Sequence, residues 1–292
     1  PEAKAGWSPA VAVALLRSAT SPSSAADMAQ DAGYAYEHLR AGTNWHPAAC
    51  VLRGAAAFML GDDATAERMF QKGAFGAADR PLIRALALGH LGIVHIEREN
   101  WDAAADVVAD LRTSIRDHES VSMTCLGTAV CSLVDARRGD AERAVQGRRL
   151  CRRQLAGFDG IAPWLNLQAR IALARSALIT GHRAEASTLL DEADALMVAV
   201  RDAVTVRDQL ATLRRGLSTR QSPGSHGPSS LTTAELRVLQ YLPTHLALTE
   251  IAERLFVSRN TVKSHSIAIY RKLGTTSRSG AVDIARAAQL LD

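Results

Sequence analysis

The chain has 292 residues and a formal net charge of +4, and 47% of its residues are hydrophobic but only 4% aromatic. This length is sufficient for two domains, or for an elongated repeat array followed by a small domain. No uncharged apolar run is long enough to cross a membrane and no signal peptide is evident, which predicts a soluble, cytoplasmic protein. Because Ala, Leu and Val carry most of the apolar content, the composition favours closely packed helices.

Four similar turns recur between residues 48 and 197, each between two amphipathic apolar runs. Their first residues, spaced by 39, 39 and 42 positions, are Gly61, Asn100, Gly139 and Gly181. Gly and Asn tolerate the left-handed conformation that ends many helices. Five positions after each turn residue there is an alanine: Ala66, Ala105, Ala144 and Ala186. Seven positions before it there is a small residue at Gly54, Ser132 and Ala174, whereas Ile93, beside Gly92, breaks this rule.

This regular spacing favours a helical repeat over a plain globular bundle. The pattern resembles degenerate tetratricopeptide-like repeats, with a period longer than the usual ~34 residues. We predict that residues 1–215 form a superhelix of stacked helix pairs, to which residues 1–47 contribute a further pair. Such arrays have a concave surface, so this domain is expected to sense a small effector or a protein partner.

The four cysteines lie within apolar helical runs and lack Cys-x-x-Cys spacing: Cys50, Cys125, Cys131 and Cys151. We therefore predict buried free thiols. A metal site formed by Cys125, Cys131 and His118 is the alternative, although its spacing is not that of a zinc site. No cofactor is expected.

Residues 216–230 are dominated by Gly, Ser and Pro and are predicted to form a flexible linker. After it, residues 231–292 hold eight Lys or Arg against five Asp or Glu, whereas the preceding 230 residues hold 26 against 25. Six of the eight basic residues fall between residues 254 and 282, where there is no acidic residue. The basic character is thus concentrated in the last domain, as nucleic-acid binding requires.

Four short helices are predicted in this domain. The first opens on a capping box of Thr232 and Glu235, and the second, third and fourth are capped by Thr249, Ser258 and Ser277. The third runs from about residue 259 to residue 273, and the fourth ends near Leu291. An apolar stripe of Val262, Ile269 and Leu273 gives the third helix a core face, opposite a cationic, hydroxyl-rich face that suits a major groove lined by phosphates.

Residues 231–291 resemble the LuxR-type helix-turn-helix domain of bacterial transcription regulators. The residues that match in order and spacing are Leu231, Thr232, Glu235, Val238, Leu239, Glu250, Ile251, Ala252, Leu255, Val257, Ser258, Thr261, Val262, Lys263, His265, Ile269, Tyr270, Lys272, Leu273, Gly274, Arg278, Ala281 and Val282. One departure is the first loop, where the family usually has a glycine and this chain has Leu-Pro-Thr-His-Leu at 242–246.

The resemblance implies that the third helix enters the major groove of double-stranded DNA and that the fourth helix supports a dimer. Carried over by position, the base-contacting residues are Lys263, Ser264 and Ile267. The phosphate-contacting residues are Ser258, Asn260, Thr261, His265, Arg271 and Lys272. Lys263 is the expected base reader because its ammonium can donate to guanine O6 and N7. His265 has an alternative role as a cap or packing residue, and Arg271 and Lys272 as a solvated charged face.

The order of repeats, linker and LuxR-type domain resembles the C-terminal half of the large maltose-regulator-like activators, which carry an ATP-binding domain upstream. We therefore expect an all-α bacterial transcription regulator whose repeat domain controls DNA binding. The alternative is a protein-interaction scaffold with a vestigial helix-turn-helix domain. Enzyme activity is not expected, because the chain lacks the G-x-x-x-x-G-K-[S/T], G-x-S-x-G and H-E-x-x-H motifs.

Overall fold

The computed structural model describes residues 8–20, 23–158, 160–218, 231, 233–244, 246–255, 257–288 and 290–291. These residues contain fifteen α-helices and no strand, so the predicted all-α fold class is confirmed. They group into two compact units, residues 1–215 and residues 216–292. The first three residues of the predicted linker are not flexible, because the helix Val204–Ser218 extends through residues 216–218 and buries Leu217. The rest of the predicted linker, 219–230, lies outside the described residues, and its flexibility stays a prediction. None of the described helices has the length and hydrophobicity that a membrane crossing requires.

Eleven helices begin in the first unit. They are α1 (Pro9–Thr20), α2 (Ala25–His38), α3 (His46–Met59), α4 (Asp63–Gly76), α5 (Pro81–Glu97), α6 (Trp101–Ile115), α7 (Cys125–Arg138), α8 (Ala141–Leu155), α9 (Pro163–Ile179), α10 (Arg183–Leu196) and α11 (Val204–Ser218). Consecutive helices from α1 to α10 pack as five pairs, and the first helices of successive pairs also contact one another, α3 with α5, α5 with α7 and α7 with α9. The predicted stack of helix pairs is therefore confirmed, with α1 and α2 as the pair expected within residues 1–47.

The turns inside the pairs follow the predicted pattern except at one position. Gly61, Gly139 and Gly181 have φ angles of 87°, 86° and 83°, in the left-handed region. In the second of the four turns the left-handed residue is Glu99, with a φ of 58°, whereas Asn100 has a φ of −84°. The prediction that this turn begins at Asn100 was therefore wrong by one residue.

Asn100 is instead the N-cap of α6, and its Oδ1 accepts a hydrogen bond from the Ala103 amide at 3.2 Å. Asparagine is favoured both in left-handed positions and at N-caps, so the residue type alone does not decide between the two roles. Counted from Glu99, the residue seven positions earlier is Gly92 and the alanine five positions later is Ala104, which is fully buried. The apparent exception at Ile93 disappears.

The small residues hold the two helices of a pair close together. A Cβ atom placed on Gly54 would lie 3.2 Å from the carbonyl oxygen of Ala66 on the partner helix. At the equivalent position in a later pair, the Ser132 hydroxyl donates to the carbonyl of Ala144 at 2.8 Å. The small residue before each of these two turns thus lies directly against the backbone of the alanine that follows the turn, as the sequence pattern predicts.

The first helix pair also contacts residues far along the chain. The Trp164 indole N–H donates to the carbonyl of Ala19 at 2.9 Å, and the Ala162 amide donates to that of Thr20 at 2.7 Å. At the start of α2, the Asp202 carboxylate accepts hydrogen bonds from two backbone amides at 2.7 and 2.9 Å. The array therefore brings the end of α1 against the start of α9, and the start of α2 against the segment that precedes α11.

All four cysteines are free and buried, as predicted. Burial raises the pKa of Cys50 to about 11 and the pKa of both Cys125 and Cys131 to about 12. Because the thiolate is the reactive form and the usual metal ligand, these thiols act as small apolar core residues. Among the described residues, no group of three or more His, Cys, Asp and Glu side chains is arranged to hold a metal ion.

His90 is a fully enclosed aromatic element of the core. Its ring stacks between Phe70 and Trp164, with centroid distances of 4.7 and 5.8 Å, and its Nδ1–H donates to the carbonyl of Leu86 at 2.8 Å. Burial lowers the pKa of His90 to about 4, only partly opposed by that hydrogen bond. The side chain is therefore neutral in the folded protein at physiological pH.

This burial predicts a pH-dependent stability. As the pH falls below 6.5, His90 becomes protonated in the unfolded chain, whereas in the folded chain it stays neutral until about pH 4. The folded protein therefore loses stability between these two pH values. We expect the unfolding free energy of the first unit to drop by about 2 kcal/mol more in the parent than in His90→Phe between pH 7 and pH 5. Urea unfolding monitored by tryptophan fluorescence measures it, with His95→Phe on the same helix as the control. Equal losses in the parent and His90→Phe would contradict the prediction.

Candidate nucleic-acid interface

The second unit contains the four helices that the sequence predicts. They are α12 (Thr233–Leu239), α13 (Leu248–Leu255), α14 (Arg259–Leu273) and α15 (Arg278–Ala287). Val262, Ile269 and Leu273 of α14 are buried in a core shared with the other three helices, so the predicted apolar stripe is confirmed. This packing fixes which face of α14 remains outside. The fourth helix ends at Ala287, four residues before the predicted end.

Two of the predicted helix caps are present and one is corrected. The Ser258 hydroxyl accepts from the Thr261 amide at 3.1 Å, and the Ser277 hydroxyl accepts from the Gly280 amide at 3.1 Å. Thr249 is not a cap, because α13 begins one residue earlier, at Leu248. The Glu250 carboxylate instead accepts from the Ala247 amide at 2.6 Å and so satisfies an amide at this helix end. Thr232, half of the predicted capping box, lies outside the described residues.

The first loop, which lacks the glycine usual in the family, is held by Arg278. Its guanidinium donates to the carbonyls of Leu242, Leu246 and Thr244 at 2.8, 2.9 and 2.8 Å, and to that of Tyr241 at 3.3 Å. One side chain from the start of α15 thus satisfies four carbonyls of the loop between α12 and α13. Sequence reasoning identified Arg278 only as a matched position, because its partners lie more than thirty residues earlier in the chain.

The three predicted base-contacting residues share the exposed face of α14. Lys263 and Ser264 are exposed, and Ile267, one turn later, is 57% exposed although it is a large apolar residue. Between them, Ser266 points into the core and donates to the carbonyl of Val262 at 2.9 Å. A lysine, a small hydroxyl and an exposed isoleucine on one helix face offer both hydrogen-bonding and apolar contacts to base edges.

The predicted phosphate-contacting residues are placed differently from one another. Ser258 and Thr261 lie at the N-terminus of α14, where their hydroxyl groups are 2.8 Å apart. The first turn of this helix carries no acidic residue. The partial positive charge of the helix N-terminus is therefore available to an anion. His265 is partly buried and follows one turn later. The side chains of Asn260 and Arg271 lie outside what the structure describes.

Lys272 has a structural role that sequence reasoning missed. Its ammonium pairs with the Glu235 carboxylate of α12 at 2.5 Å, and the two side chains are only 12% and 7% exposed. The alternative of a solvated charged face therefore does not describe Lys272. Since the partners are 37 residues apart in the chain, a local sequence pattern could not predict the ion pair. Its predicted phosphate contact stays a prediction, as do those of the other five residues.

Comparison with known proteins finds a family model that matches the second unit. Residues 229–285 match the family described as bacterial regulatory proteins, luxR family. The chain is 36% identical over 74 residues to the fimbriae Z protein of Salmonella typhimurium, covering 25% of this chain and 35% of that protein. It is 39% identical over 81 residues to a putative HTH-type transcriptional regulator of Mycobacterium bovis, covering 28% of this chain and 9% of that protein. The chain therefore spans about a third of the length of the first of these curated relatives and about a tenth of the second.

Proposed function

We propose that residues 229–285 form a domain of the luxR family of bacterial regulatory proteins, whose model they match. From this it follows that the protein is a sequence-specific DNA-binding transcriptional regulator. The observation that carries the proposal is the exposed face of α14, where Lys263, Ser264 and Ile267 lie together opposite a buried apolar stripe. An α-helix fits the major groove, and these side chains are the ones that would reach its floor.

Each of these side chains has a distinct task in the proposal. The Lys263 ammonium donates to O6 and N7 of a guanine, which distinguishes it from the other bases. Ile267 contacts a thymine methyl group, and this contact accounts for a large apolar side chain being exposed on a cationic helix. Ser264 is short and adds a hydrogen bond without imposing a base by itself.

The phosphate contacts fix the position of the helix in the groove. The residues that would hold phosphates are Ser258, Asn260, Thr261, His265, Arg271 and Lys272. Lys272 would share its ammonium between a phosphate and Glu235, whereas Ser258 would combine its contact with its role as the N-cap. The first-turn hydroxyls and amides of α14 favour a phosphate for the same electrostatic reason that they favour any anion.

The repeat unit is proposed to control this DNA-binding domain. Stacked helix pairs of this kind are binding surfaces, and the chain joins them to the DNA-binding domain through residues 216–230. An effector or partner bound to the repeats would govern whether two copies bind DNA as a dimer. The resemblance to the maltose-regulator-like activators supports this arrangement as an expectation only.

Genome-wide footprinting with the full chain is the experiment that tests the regulator proposal, because it recovers the bound sequence. On that sequence Lys263→Ala is expected to weaken binding about 10- to 100-fold, the usual effect of losing one good base contact. The variant should lose its preference for one base only, at the position that Lys263 contacts, and keep its preferences at the other positions. Arg237→Ala, which removes an equal charge from an exposed position on α12, is the matched control and should bind as the parent does.

Two outcomes would redirect the proposal. If the parent chain binds no DNA even at low salt, the scaffold with a vestigial helix-turn-helix domain is the better interpretation. If residues 225–292 alone bind the recovered sequence as the full chain does under every effector condition, control by the repeat unit is wrong while DNA reading stands.

A further inference from the structure

The repeat unit contains an apolar cavity of about 520 Å³. Its wall is formed by α1, by the N-terminal halves of α3 and α5, and by the segment that leads into α9. The cavity exists because the end of α1 is held at the start of α9, where the Trp164 indole and the Ala162 amide donate to carbonyls at the end of α1. Its volume is within the range of about 300–1,000 Å³ that small-molecule sites occupy.

The wall offers almost nothing to a charged or strongly polar ligand. Thr20 carries the one hydroxyl among the described lining side chains, and it donates to the carbonyl of Leu16 at 2.8 Å. The Trp164 indole N–H is committed to Ala19 at 2.9 Å. A sugar, a nucleotide or a carboxylate would therefore lose its hydration without gaining hydrogen bonds in return.

The mouth of the cavity is lined by large apolar side chains that the fold leaves in contact with water. Leu16, Trp45, Met123 and Ile161 are 63%, 46%, 38% and 49% exposed, and all four line this one cavity. Apolar side chains exposed side by side mark binding sites more often than side chains exposed singly do. This grouping distinguishes the cavity from ordinary surface irregularity.

The backbone at one wall is also held in an unfavourable conformation. Ala162, a lining residue, has a φ of 48°, in the left-handed region that an alanine avoids at a cost of about 1–2 kcal/mol. Its amide is fixed by the hydrogen bond to Thr20 at 2.7 Å. Residues with a strained backbone cluster at ligand sites, where the surrounding contacts offset the energetic cost of the conformation.

We propose that this cavity binds an uncharged, apolar small molecule with a hydrocarbon or aromatic body. A peptide segment is a poorer occupant, because its amides and carbonyls would face a wall that cannot satisfy them. The rings of Trp45, Trp164 and Phe158 offer flat surfaces to a planar ligand. That such a molecule acts as the effector rests on the proposed function, whereas the binding itself does not.

The test uses the full chain and N-phenyl-1-naphthylamine, an uncharged fluorophore whose emission rises in apolar surroundings. The parent should bind it saturably at one site and transfer excitation to it from tryptophan. Ala48→Phe, which fills the cavity from a half-buried lining position, and Leu16→Glu, which places a charge at the mouth, should each weaken binding at least tenfold. Val13→Glu is the matched control on the same helix: Val13 is 52% exposed but does not line the cavity, so binding should be unchanged.

Several results would overturn the proposal. They are the absence of saturable binding by the parent, equal binding by Leu16→Glu and Val13→Glu, and equal affinity for the sulfonated analogue 8-anilinonaphthalene-1-sulfonate, which carries a charge. If Ala48→Phe fails to fold by circular dichroism, the comparison of Leu16→Glu with Val13→Glu decides. DNA binding without any ligand is measured separately, so a failure here leaves the DNA-reading proposal intact, and a failure of DNA reading leaves the cavity result intact.

Discussion

Replacing Lys272 with methionine is expected to destabilise the second unit by about 3 kcal/mol, because it removes the cation that neutralises the buried Glu235 carboxylate. The two side chains are only 12% and 7% exposed, so water cannot take over the role of the ammonium. Glu235→Gln alone should cost less, since the lysine stem can carry its ammonium toward solvent. The double variant Lys272→Met, Glu235→Gln should recover most of the stability, since no buried charge remains.

The distribution of tryptophans makes this measurable in the full chain. All four tryptophans lie before residue 165, so their fluorescence reports the first unit alone, whereas far-UV circular dichroism reports both units. Lys272→Met should shift part of the urea transition seen by circular dichroism and leave the fluorescence transition unchanged. An unshifted circular dichroism transition would mean that the pair contributes nothing, as many exposed ion pairs do.

The same variants separate the structural role of Lys272 from its predicted phosphate contact. Glu235→Gln and the double variant both lack the ion pair, but only the first keeps the ammonium. If Lys272 also holds a phosphate, the slope of log affinity against log salt should be shallower by about one in the double variant. Identical slopes would remove Lys272 from the phosphate-contacting set.

Glu185→Leu is expected to destabilise the first unit by about 3–5 kcal/mol, because it leaves the Arg148 guanidinium buried without a counter-charge. Arg148 is 1% exposed and donates to Glu185, Ser176 and Thr180 at 3.0, 3.2 and 3.0 Å. The two hydroxyls accept only from its Nη1, and its buried Nη2 has no hydrogen-bond partner among the described residues. Neither hydroxyl can balance the charge of the guanidinium. Glu185 is 27% exposed and is the partner that water can reach.

This difference in exposure predicts an asymmetry between the two partners. Arg148→Met should cost clearly less than Glu185→Leu, since it leaves a carboxylate that water can hydrate, and since Ser176 still donates to the carbonyl of Ser132 at 3.2 Å. Urea unfolding followed by tryptophan fluorescence measures both variants. The part of the circular dichroism transition that has no counterpart in the fluorescence transition belongs to the second unit, and it should stay unchanged as an internal control. Equal costs for the two variants would refute the assignment of the penalty to the buried guanidinium.

Features that depend on a few neighbouring residues could be predicted from the sequence. The apolar stripe of α14 and the caps at Ser258 and Ser277 follow from helical periodicity and from side chains that reach amides three positions away. The recurrent turns with Gly61, Gly139 and Gly181 follow from the left-handed conformation that glycine permits. Together these local signals were sufficient to predict the helix pairs and the helix-turn-helix domain, because helices are built from local hydrogen bonds.

Features that join distant parts of the chain became visible only in the folded structure. The Lys272–Glu235 pair and the Arg278 clamp on the first loop connect residues more than thirty positions apart. The apolar cavity depends on the contact between Trp164 and Ala19, which are 145 residues apart. Such contacts depend on which distant side chains the packing of helices brings together. The periodicity of apolar residues in the sequence does not contain this information. The exposed face of α14 that is proposed to contact DNA could therefore be predicted from the sequence. The cavity proposed as an effector site exists only because the helical array brings its first pair against α9.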